Sequence, residues 1–251
     1  MIMNRIKILI AVIPFAVSCA ISDKSPAFRK PENPIQTVAA DWKDTKPKLY
    51  ASFSSTDIKF EKQIPPDITI SSQQTITAWK GERVNLQLLI WSSADIDDIR
   101  VTASTLKEPN GNSISANNIN VHPVRYVLSD EFLTGCGYRD KDTIPAYLVA
   151  DILKKNQPFN LIGKTTRPVW ITIDLPANVT PGSYQGDIIK KPEAGDAQTL
   201  NLNLEVQDFT LPAPSGWAFH LDLWQNPYSI ARLHNTELWS DEHLQACLPY
   251  L

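Results

Sequence analysis

The sequence predicts a mainly β protein: an antiparallel β-sandwich followed by a truncated first βα unit of a (β/α)-barrel. Short runs with apolar and polar residues in alternation follow one another from Leu49 onward, as half-buried strands do. The loops between them are marked by proline, of which the chain has 19 against 9 glycines. After residue 212 the pattern changes to one strand and one helix, the opening unit of an α/β layer or barrel.

Composition and charge exclude several classes of function. Of the 251 residues, 43% are hydrophobic, which is enough for a packed core, and the net charge of −3 provides no basic field for a nucleic acid. The sequence contains no nucleotide-binding loop, no paired His/Cys metal spacing and no Gly-x-Ser-x-Gly elbow. We therefore predict no nucleic-acid partner, no cofactor and no metal.

Residues 1–18 are predicted to be a signal peptide, because a short positive start precedes an apolar stretch that is too short to span a bilayer. Ala16-Val17-Ser18 before Cys19 resembles a bacterial lipobox, with Ala16 in place of the usual leucine. Cys19 is then the lipidated N-terminus of an exported periplasmic or outer-membrane protein, anchored to the membrane by its lipid. Ordinary cleavage near Ala20 and a buried N-terminal strand are the alternatives.

Residues 19–47 are predicted to be a tether, since they are polar and contain four prolines. The sandwich is assigned to residues 48–212. Its predicted strands are, in chain order, 68–70, 75–79, 84–91, 99–103, 119–128, 168–174, 184–189 and 199–206. Turns are predicted at Lys80-Gly81-Glu82, Asn110-Gly111-Asn112 and Thr180-Pro181-Gly182-Ser183.

Three further expectations concern the interior of this region. Pro123 places its strand at an edge or a bulge, because proline cannot donate to a strand ladder. A short helix is predicted at residues 150–154. Trp79, Trp91 and Trp170 lie in predicted strands and are expected in the sandwich core rather than on a sugar-binding platform.

Residues 213–251 are predicted to be the truncated start of a barrel. Residues 217–224 fit a buried strand, Asn226-Pro227 ends it, and a helix follows Ser240 with acidic residues in its first turn. The apolar stripe of this helix continues to the last residue, so we expect exposed apolar surface there and a missing remainder of the barrel. The stripe consists of Leu244, Cys247 or Leu248, and Leu251.

A family resemblance rests on three stretches. Residues 167–173 with Pro181-Gly182-Ser183-Tyr184-Gln185-Gly186 form one, residues 131–139 with 144–151 a second, and residues 219–228 the third and most specific. Together they resemble the N-terminal domain and first barrel strand of glycoside hydrolase family 123, typical of Bacteroides-type bacteria. The resemblance covers the chain from about residue 49 to its end.

The resemblance implies a β-sandwich packed on a (β/α)-barrel. Characterised members of that family are retaining exo-β-N-acetylgalactosaminidases, in which an adjacent Asp-Glu pair works with the substrate's own 2-acetamido group, an exception to the two-carboxylate scheme. The pair lies well beyond the first barrel strand, so this chain is expected to lack it. We assign no catalytic residue.

Two adjacent acid pairs of this chain are not taken as that catalytic pair. Asp241-Glu242 follows Ser240 at a helix start, where acidic residues are expected for electrostatic reasons. Asp130-Glu131 lies in a polar stretch and is interpreted as a solvated loop.

Four residues near the end of the predicted barrel strand are candidates for substrate binding. His220, Asp222 and Trp224 would share the inward face of the strand, and Gln225 would follow at the rim where barrel ligands bind. Trp224 could stack on a sugar, while His220 and Gln225 could bond its hydroxyls. The alternative is that Trp224 is a hydrophobic plug and Asp222 a satisfied interior acid.

The sequence thus supports two functional hypotheses. The first is the non-catalytic N-terminal portion of an exported glycoside hydrolase, whose full-length parent binds a glycan containing N-acetylhexosamine. The alternative is a stand-alone cell-surface β-sandwich that binds carbohydrate or protein. A disulfide between Cys136 and Cys247 is left open.

Overall fold

The computed structural model describes residues 42–129, 147–219 and 225–250, which form a β-sandwich followed by two short helices. The strands are β1 (Tyr50–Ser54), β2 (Gln73–Lys80), β3 (Arg83–Ser92), β4 (Ile96–Ala103), β5 (Leu106–Lys107), β6 (Ser113–Ile114), β7 (Ile119–Ser129), β8 (Tyr147–Leu153), β9 (Phe159–Leu161), β10 (Thr165–Asp174), β11 (Gly182–Lys191) and β12 (Gln198–Thr210). The helices are α1 (Pro227–His234) and α2 (Asp241–Cys247), with single 3-10 turns at Ala116–Asn118, Pro214–Gly216 and Leu248–Tyr250. Within these ranges the structure has no helix with the length and apolar character needed to cross a bilayer.

The strands divide into two sheets. One has five strands in the order β1-β3-β10-β7-β8, and the other has β2-β12-β11-β4-β9 with the small β5-β6 hairpin attached to β11. The predicted antiparallel sandwich is confirmed, since neighbouring strands run antiparallel, but β2 and β12 pair in parallel. The turn at Gly81, with a φ of 77°, joins β2 to β3 and carries the chain from one sheet to the other rather than closing a hairpin.

Alternation along the strands places one face of each sheet in a shared core. In β12, Leu200, Leu202 and Leu204 are buried while the residues between them face outward. Across the sandwich, Leu88 of β3 and Ile171 of β10 belong to the same buried cluster. The core therefore lies between the two sheets, and the other face of each sheet points away from it.

A second, smaller apolar cluster covers part of the outer face of the five-stranded sheet. Trp42, Leu89 and Trp91 are buried there, and Tyr50 stacks on Trp91 with ring centroids 5.4 Å apart. The Trp42 indole N–H donates to the carbonyl of Gln63 at 3.0 Å. The last residues of the segment interpreted as a tether therefore pack against the sandwich at Trp42.

Most predicted strands are confirmed, but two local predictions are wrong. Residues 68–70 are not a strand, and Ile68 instead packs from a loop onto the small apolar cluster. Residues 150–154 are not a helix, because 147–153 form β8, which pairs with β7. Backbone pairing with an existing strand overrides a weak local helix preference.

Pro123 marks a change of partner within β7. The residues from Ile119 to Pro123 pair with β10, and pairing with β8 begins at Val124, with a register shift between Arg125 and Tyr126. The predicted irregularity is thus confirmed as a bulge in the middle of the sheet rather than at its edge. A residue without an N–H fits the point where one ladder ends and another begins.

The predicted barrel strand at residues 217–224 is not seen in the part that the structure describes. Residues 214–216 form a 3-10 turn, Trp217 caps it, and Ala218 and Phe219 form a bend. Residues 220–224 lie outside the described ranges. The predicted helix after Ser240 is confirmed as α2.

Candidate functional site

Of the predicted substrate-binding residues, the structure places Gln225 and leaves the others outside the described ranges. His220, Asp222, Trp224 and the proposed lipidation site Cys19 fall in the undescribed segments. Gln225 is exposed and immediately precedes Asn226, the N-cap of α1. The assignment of these four residues to a sugar site stays a prediction.

Helix α1 begins where the sequence was interpreted as a break. The Asn226 side chain accepts a hydrogen bond from the backbone N–H of Ser229 at 3.1 Å, and Pro227 occupies the first helical position. Asn and Pro are favoured at these two positions, because one satisfies a free N–H and the other has none to satisfy. The pair thus starts a helix directly after Gln225 and fixes the position of that residue's backbone.

Asp241 and Glu242 occupy the first turn of α2, as predicted. The Ser240 hydroxyl caps the helix by accepting from the N–H of His243 at 3.1 Å, and both acidic side chains are exposed. Their negative charge next to the positive helix end is accounted for by electrostatics. The other pair, Asp130-Glu131, lies outside the described residues.

His243 joins α2 to the start of α1. Its side chain is fully buried, Nδ1 accepts from the backbone N–H of Trp239 at 2.9 Å, and Nε2 lies 2.9 Å from the carbonyl oxygen of Pro227. Since a carbonyl can only accept, Nε2 carries the proton. Cys247 Sγ lies 3.6 Å from the same Nε2, which is therefore not a base for the thiol. The arrangement is structural rather than a Cys-His nucleophile pair.

We call residues 214–219 and 225–250, which follow the sandwich, the helical segment. This segment exposes several large apolar side chains. Leu244 and Leu248 are exposed, as the apolar stripe predicted, and Leu251 lies outside the described residues. Further exposed apolar side chains on this segment are Phe219, Tyr228, Leu233 and Trp239. Exposed apolar groups gathered in one segment are typical of a contact surface.

The Pro-Gly-x-Tyr-x-Gly motif has a structural role in the sandwich. Tyr184 is fully buried, and its hydroxyl donates to the carbonyl of Thr180 at 2.7 Å. A Cβ on Gly186 would lie 2.6 Å from Leu106 Cδ2 and 2.9 Å from Ser104 Oγ. Gly186 thus permits the close approach of β5, and the motif carries packing rather than chemistry.

A small cavity on the outer face of the five-stranded sheet was not predicted. Its volume is about 320 Å3, and Trp170 and Gln87 lie in its wall together with Asp151 of β8. The Trp170 indole N–H donates to Asn85 Oδ1 at 3.1 Å, which fixes the ring. None of the three tryptophans lies in the core between the sheets, where they were predicted. Trp91 is buried in the small outer-face cluster, Trp170 is half-buried and Trp79 is exposed. Strand alternation next to Ala78 could have predicted the outward position of Trp79.

A buried cation, Lys190, and a half-buried one, Arg167, lie at the margins of the sandwich core. Burial, and secondly the nearby charge of Lys48, lower the pKa of the Lys190 ammonium to about 8. Lys190 Nζ donates to the carbonyl of Leu49 at 2.6 Å. Burial also lowers the pKa of Arg167, whose guanidinium lies over the ring of Phe159. Both groups are engaged in contacts within the sandwich. In the described ranges no cluster of three or more His, Cys, Asp and Glu side chains could hold a metal ion.

The fold defines the chain as a two-sheet β-sandwich with a helical segment at its C-terminal side. The glycoside hydrolase 123 N-terminal domain family matches residues 53–191, which is more than half of the chain and extends from within β1 to the end of β11. The chain belongs to this family. The resemblance in the sequence is thereby confirmed.

A solved structure supports the same assignment. The chain is similar to a family 123 glycoside hydrolase from Clostridium perfringens that hydrolyses glycolipid glycans, with 26% sequence identity and a TM-score of 0.69. The match covers 78% of this chain and 34% of that one, so the chain spans about a third of the length of this relative.

The similarity of this chain to some other solved structures is weak. The periplasmic chaperone SfaE is 12% identical over 57% of this chain and 58% of that one, with a TM-score of 0.28. The fimbrial subunit MyfA of Yersinia enterocolitica is 6% identical over 64% of this chain and 99% of that one, with a TM-score of 0.32. No curated protein matches the chain.

Proposed function

We propose that this chain is the non-catalytic N-terminal portion of an exported glycoside hydrolase that acts on N-acetylhexosamine-containing glycans. The observation that carries the proposal is the family match over residues 53–191, which coincides with the sandwich from β1 to β11. The similar Clostridium perfringens enzyme hydrolyses glycolipid glycans, and this chain corresponds to 34% of it. The glycan as substrate class is inferred from that relative, and its N-acetylhexosamine from what the family resemblance of the sequence implies.

In this proposal the sandwich supports the catalytic part of the enzyme. Its long strands bury a continuous core, so it provides a rigid body. The helical segment that follows exposes Leu233, Leu244 and Leu248, side chains that would stabilise a contact with a neighbouring domain by leaving water. We infer that this segment lies between the sandwich and the barrel.

His220, Asp222, Trp224 and Gln225 are proposed to lie at the sugar-binding end of that barrel. Gln225 is exposed directly before α1, so its side chain is accessible to a ligand. In the complete enzyme these residues would bind substrate, while proton transfer would belong to an acid pair elsewhere. On this basis Trp224→Ala in the complete enzyme should raise KM more than it lowers kcat, and an unchanged KM would contradict the assignment.

The proposal is tested by assaying the purified 251-residue protein with 4-nitrophenyl N-acetyl-β-D-galactosaminide. We expect no release of nitrophenol above the buffer rate, with a complete family 123 enzyme as the positive control. Hydrolysis by this chain would contradict the proposal. In that event the double variant Asp241→Asn, Glu242→Gln would show whether the exposed acid pair of α2 is responsible.

Export and lipid anchoring through Cys19 are part of the proposal. They rest on the positive start, the apolar stretch and the lipobox-like residues before Cys19. Labelling of expressing bacteria with an alkyne fatty acid should modify the wild-type protein and not Cys19→Ser. Equal labelling of the two proteins, or none of either, would contradict the anchor.

A further inference from the structure

The outer face of the seven-stranded sheet carries a polar trough. Its volume is about 550 Å3, within the range of ligand sites in proteins. Strands β2, β12 and β11 form its floor, and their outward side chains form its surface. The outward polar side chains in this surface are Gln73, Thr75, Gln185, Asp187, Asn201 and Asn203.

Strand register brings these groups together in rows across the sheet. Asp187 lies opposite Asn201, which lies opposite Gln73 on the other side. Two residues further along β12, Asn203 lies between Gln185 and Thr75. Neighbouring strands are about 4.8 Å apart, so each row presents three hydrogen-bonding side chains within about 10 Å.

The rows are ordered by hydrogen bonds within the face. Asn201 Nδ2 donates to Asp187 Oδ1 at 3.0 Å, and Asn203 Nδ2 donates to Glu205 Oε1 at 2.9 Å. The Ser183 hydroxyl lies 3.0 Å from Asn203 Oδ1 and 2.8 Å from the same Glu205 oxygen. Since these bonds restrict the side chains before any ligand arrives, less conformational entropy is lost on binding.

An exposed aromatic pair follows on the same face. Thr75, Thr77 and Trp79 alternate with inward residues of β2, so Trp79 lies about 13 Å beyond Thr75 along the strand. Its ring centroid is 5.9 Å from that of Phe209, and both side chains are about half exposed or more. An aromatic surface thus extends the polar trough in the strand direction.

The chemistry of this face fits a neutral sugar chain. Amide and carboxylate groups form paired hydrogen bonds with neighbouring hydroxyls, while an aromatic ring packs on the apolar face of a pyranose. The residues that line the trough include one carboxylate, Asp187, and no cation, so a polyanion is disfavoured. A peptide ligand would need apolar pockets, or would add to the outer edge of β2 rather than lie across the flat face of amides.

We propose that the outer face of the seven-stranded sheet binds a neutral oligosaccharide, with amides in the trough and Trp79 stacked on one sugar ring. The inference rests on the proposed function for the expectation that the ligand is a carbohydrate. It adds a second glycan contact, on the sandwich itself, to the one expected at the barrel. Such a contact keeps a glycan-bearing surface close to the enzyme by raising the local substrate concentration.

The test uses the full chain and a glycan array that contains neutral and sialylated oligosaccharides. The strongest neutral binder is then titrated by calorimetry. Trp79→Ala should weaken binding about tenfold, and Gln185→Ala and Asn201→Ala each about two- to tenfold, as expected for a lost stacking contact or hydrogen bond. All three side chains are exposed, so circular dichroism and thermal melting should match the wild type.

Matched control variants lie on the opposite sheet. Trp170→Ala and Asn120→Ala remove the same residue types from the other outer face and should leave the affinity within twofold. Loss of binding in Trp170→Ala with retention in Trp79→Ala would overturn the proposal in favour of the smaller cavity. Absence of neutral-glycan binding at millimolar concentration, or preference for sialylated chains, would also overturn it. None of these results affects the hydrolysis assay, which tests the proposed function separately.

Discussion

The sandwich and the helical segment (residues 214–219 and 225–250) differ in how far their apolar side chains are removed from water. In the sandwich, β3 and β10 pair over ten residues and the core leucines and isoleucines are inaccessible to water. In the helical segment, Leu233 is 70% exposed and Leu248 is 57% exposed. The sandwich is therefore stabilised by its own core, whereas the helical segment presents apolar surface suited to contact with another domain.

Helix length sharpens this contrast. α1 has 8 residues and α2 has 7, and isolated helices of that size are unstable in water. Each helix has a side-chain N-cap, and they pack on each other with His243 between them. The segment therefore depends on a few specific contacts, while the stability of the sandwich is distributed over many.

The largest effect is expected in the sandwich core. Leu88→Ala should lower the free energy of unfolding by about 3 kcal/mol, because Leu88 is fully buried and its removal leaves a cavity. Leu233→Ala is the matched control in the helical segment and should change it by less than about 0.5 kcal/mol. Urea unfolding followed by circular dichroism measures both, and similar losses in the two variants would remove the distinction between the regions.

His243→Ala should affect the helical segment alone. The change leaves the Trp239 N–H and the Pro227 carbonyl without their partner, so we expect local stability of α1 and α2 to fall by about 2 kcal/mol. Limited proteolysis should then cleave between residues 225 and 250 faster, while the melting temperature of the sandwich stays unchanged. Gln245→Ala, at an exposed position of α2, is the control. A cooperative loss of the whole fold would show that the two regions are not separable.

Because Lys190 is buried, we expect the stability of the sandwich to depend on pH. The pKa of its ammonium is about 8 in the folded protein, whereas an ordinary lysine, as in the unfolded chain, has a pKa of 10.5. The unfolded chain therefore binds more protons between these two pH values. Stability should therefore rise with pH through this window. Relative to Lys190→Met, the wild type should gain about 2 kcal/mol between pH 7 and pH 10. A constant difference between the two proteins would indicate that the buried ammonium is not desolvated.

The sequence predicted the elements whose pattern depends on local alternation. Residues 199–206 alternate strictly, and the corresponding β12 is an interior strand of its sheet, between β2 and β11. Residues 150–154 do not alternate, and their strand conformation comes from pairing with β7. Asn226-Pro227 was interpreted as a break because Pro usually ends a strand, yet the same pair is a favourable helix start.

The candidate sites were harder to predict from the sequence than the strands were. The polar trough combines β11, β12 and β2, so Gln73 and Asp187 become neighbours of Asn201 only through register. No spacing along the chain signals that arrangement. Trp79 was expected in the core because it lies in a strand, although its alternation with the apolar residues Ile76 and Ala78 already indicated the outer face.

Hydrogen exchange of the intact chain, followed by mass spectrometry, tests the account of the two regions most directly. Amides of β3, β10 and β12 should exchange only through global unfolding, with a common free energy of about 5–15 kcal/mol. Amides of α1 and α2 should exchange through local opening at a free energy several kcal/mol lower. Equal protection of the helices and the central strands would contradict the conclusion that the sandwich is the self-sufficient unit and the helical segment a contact surface.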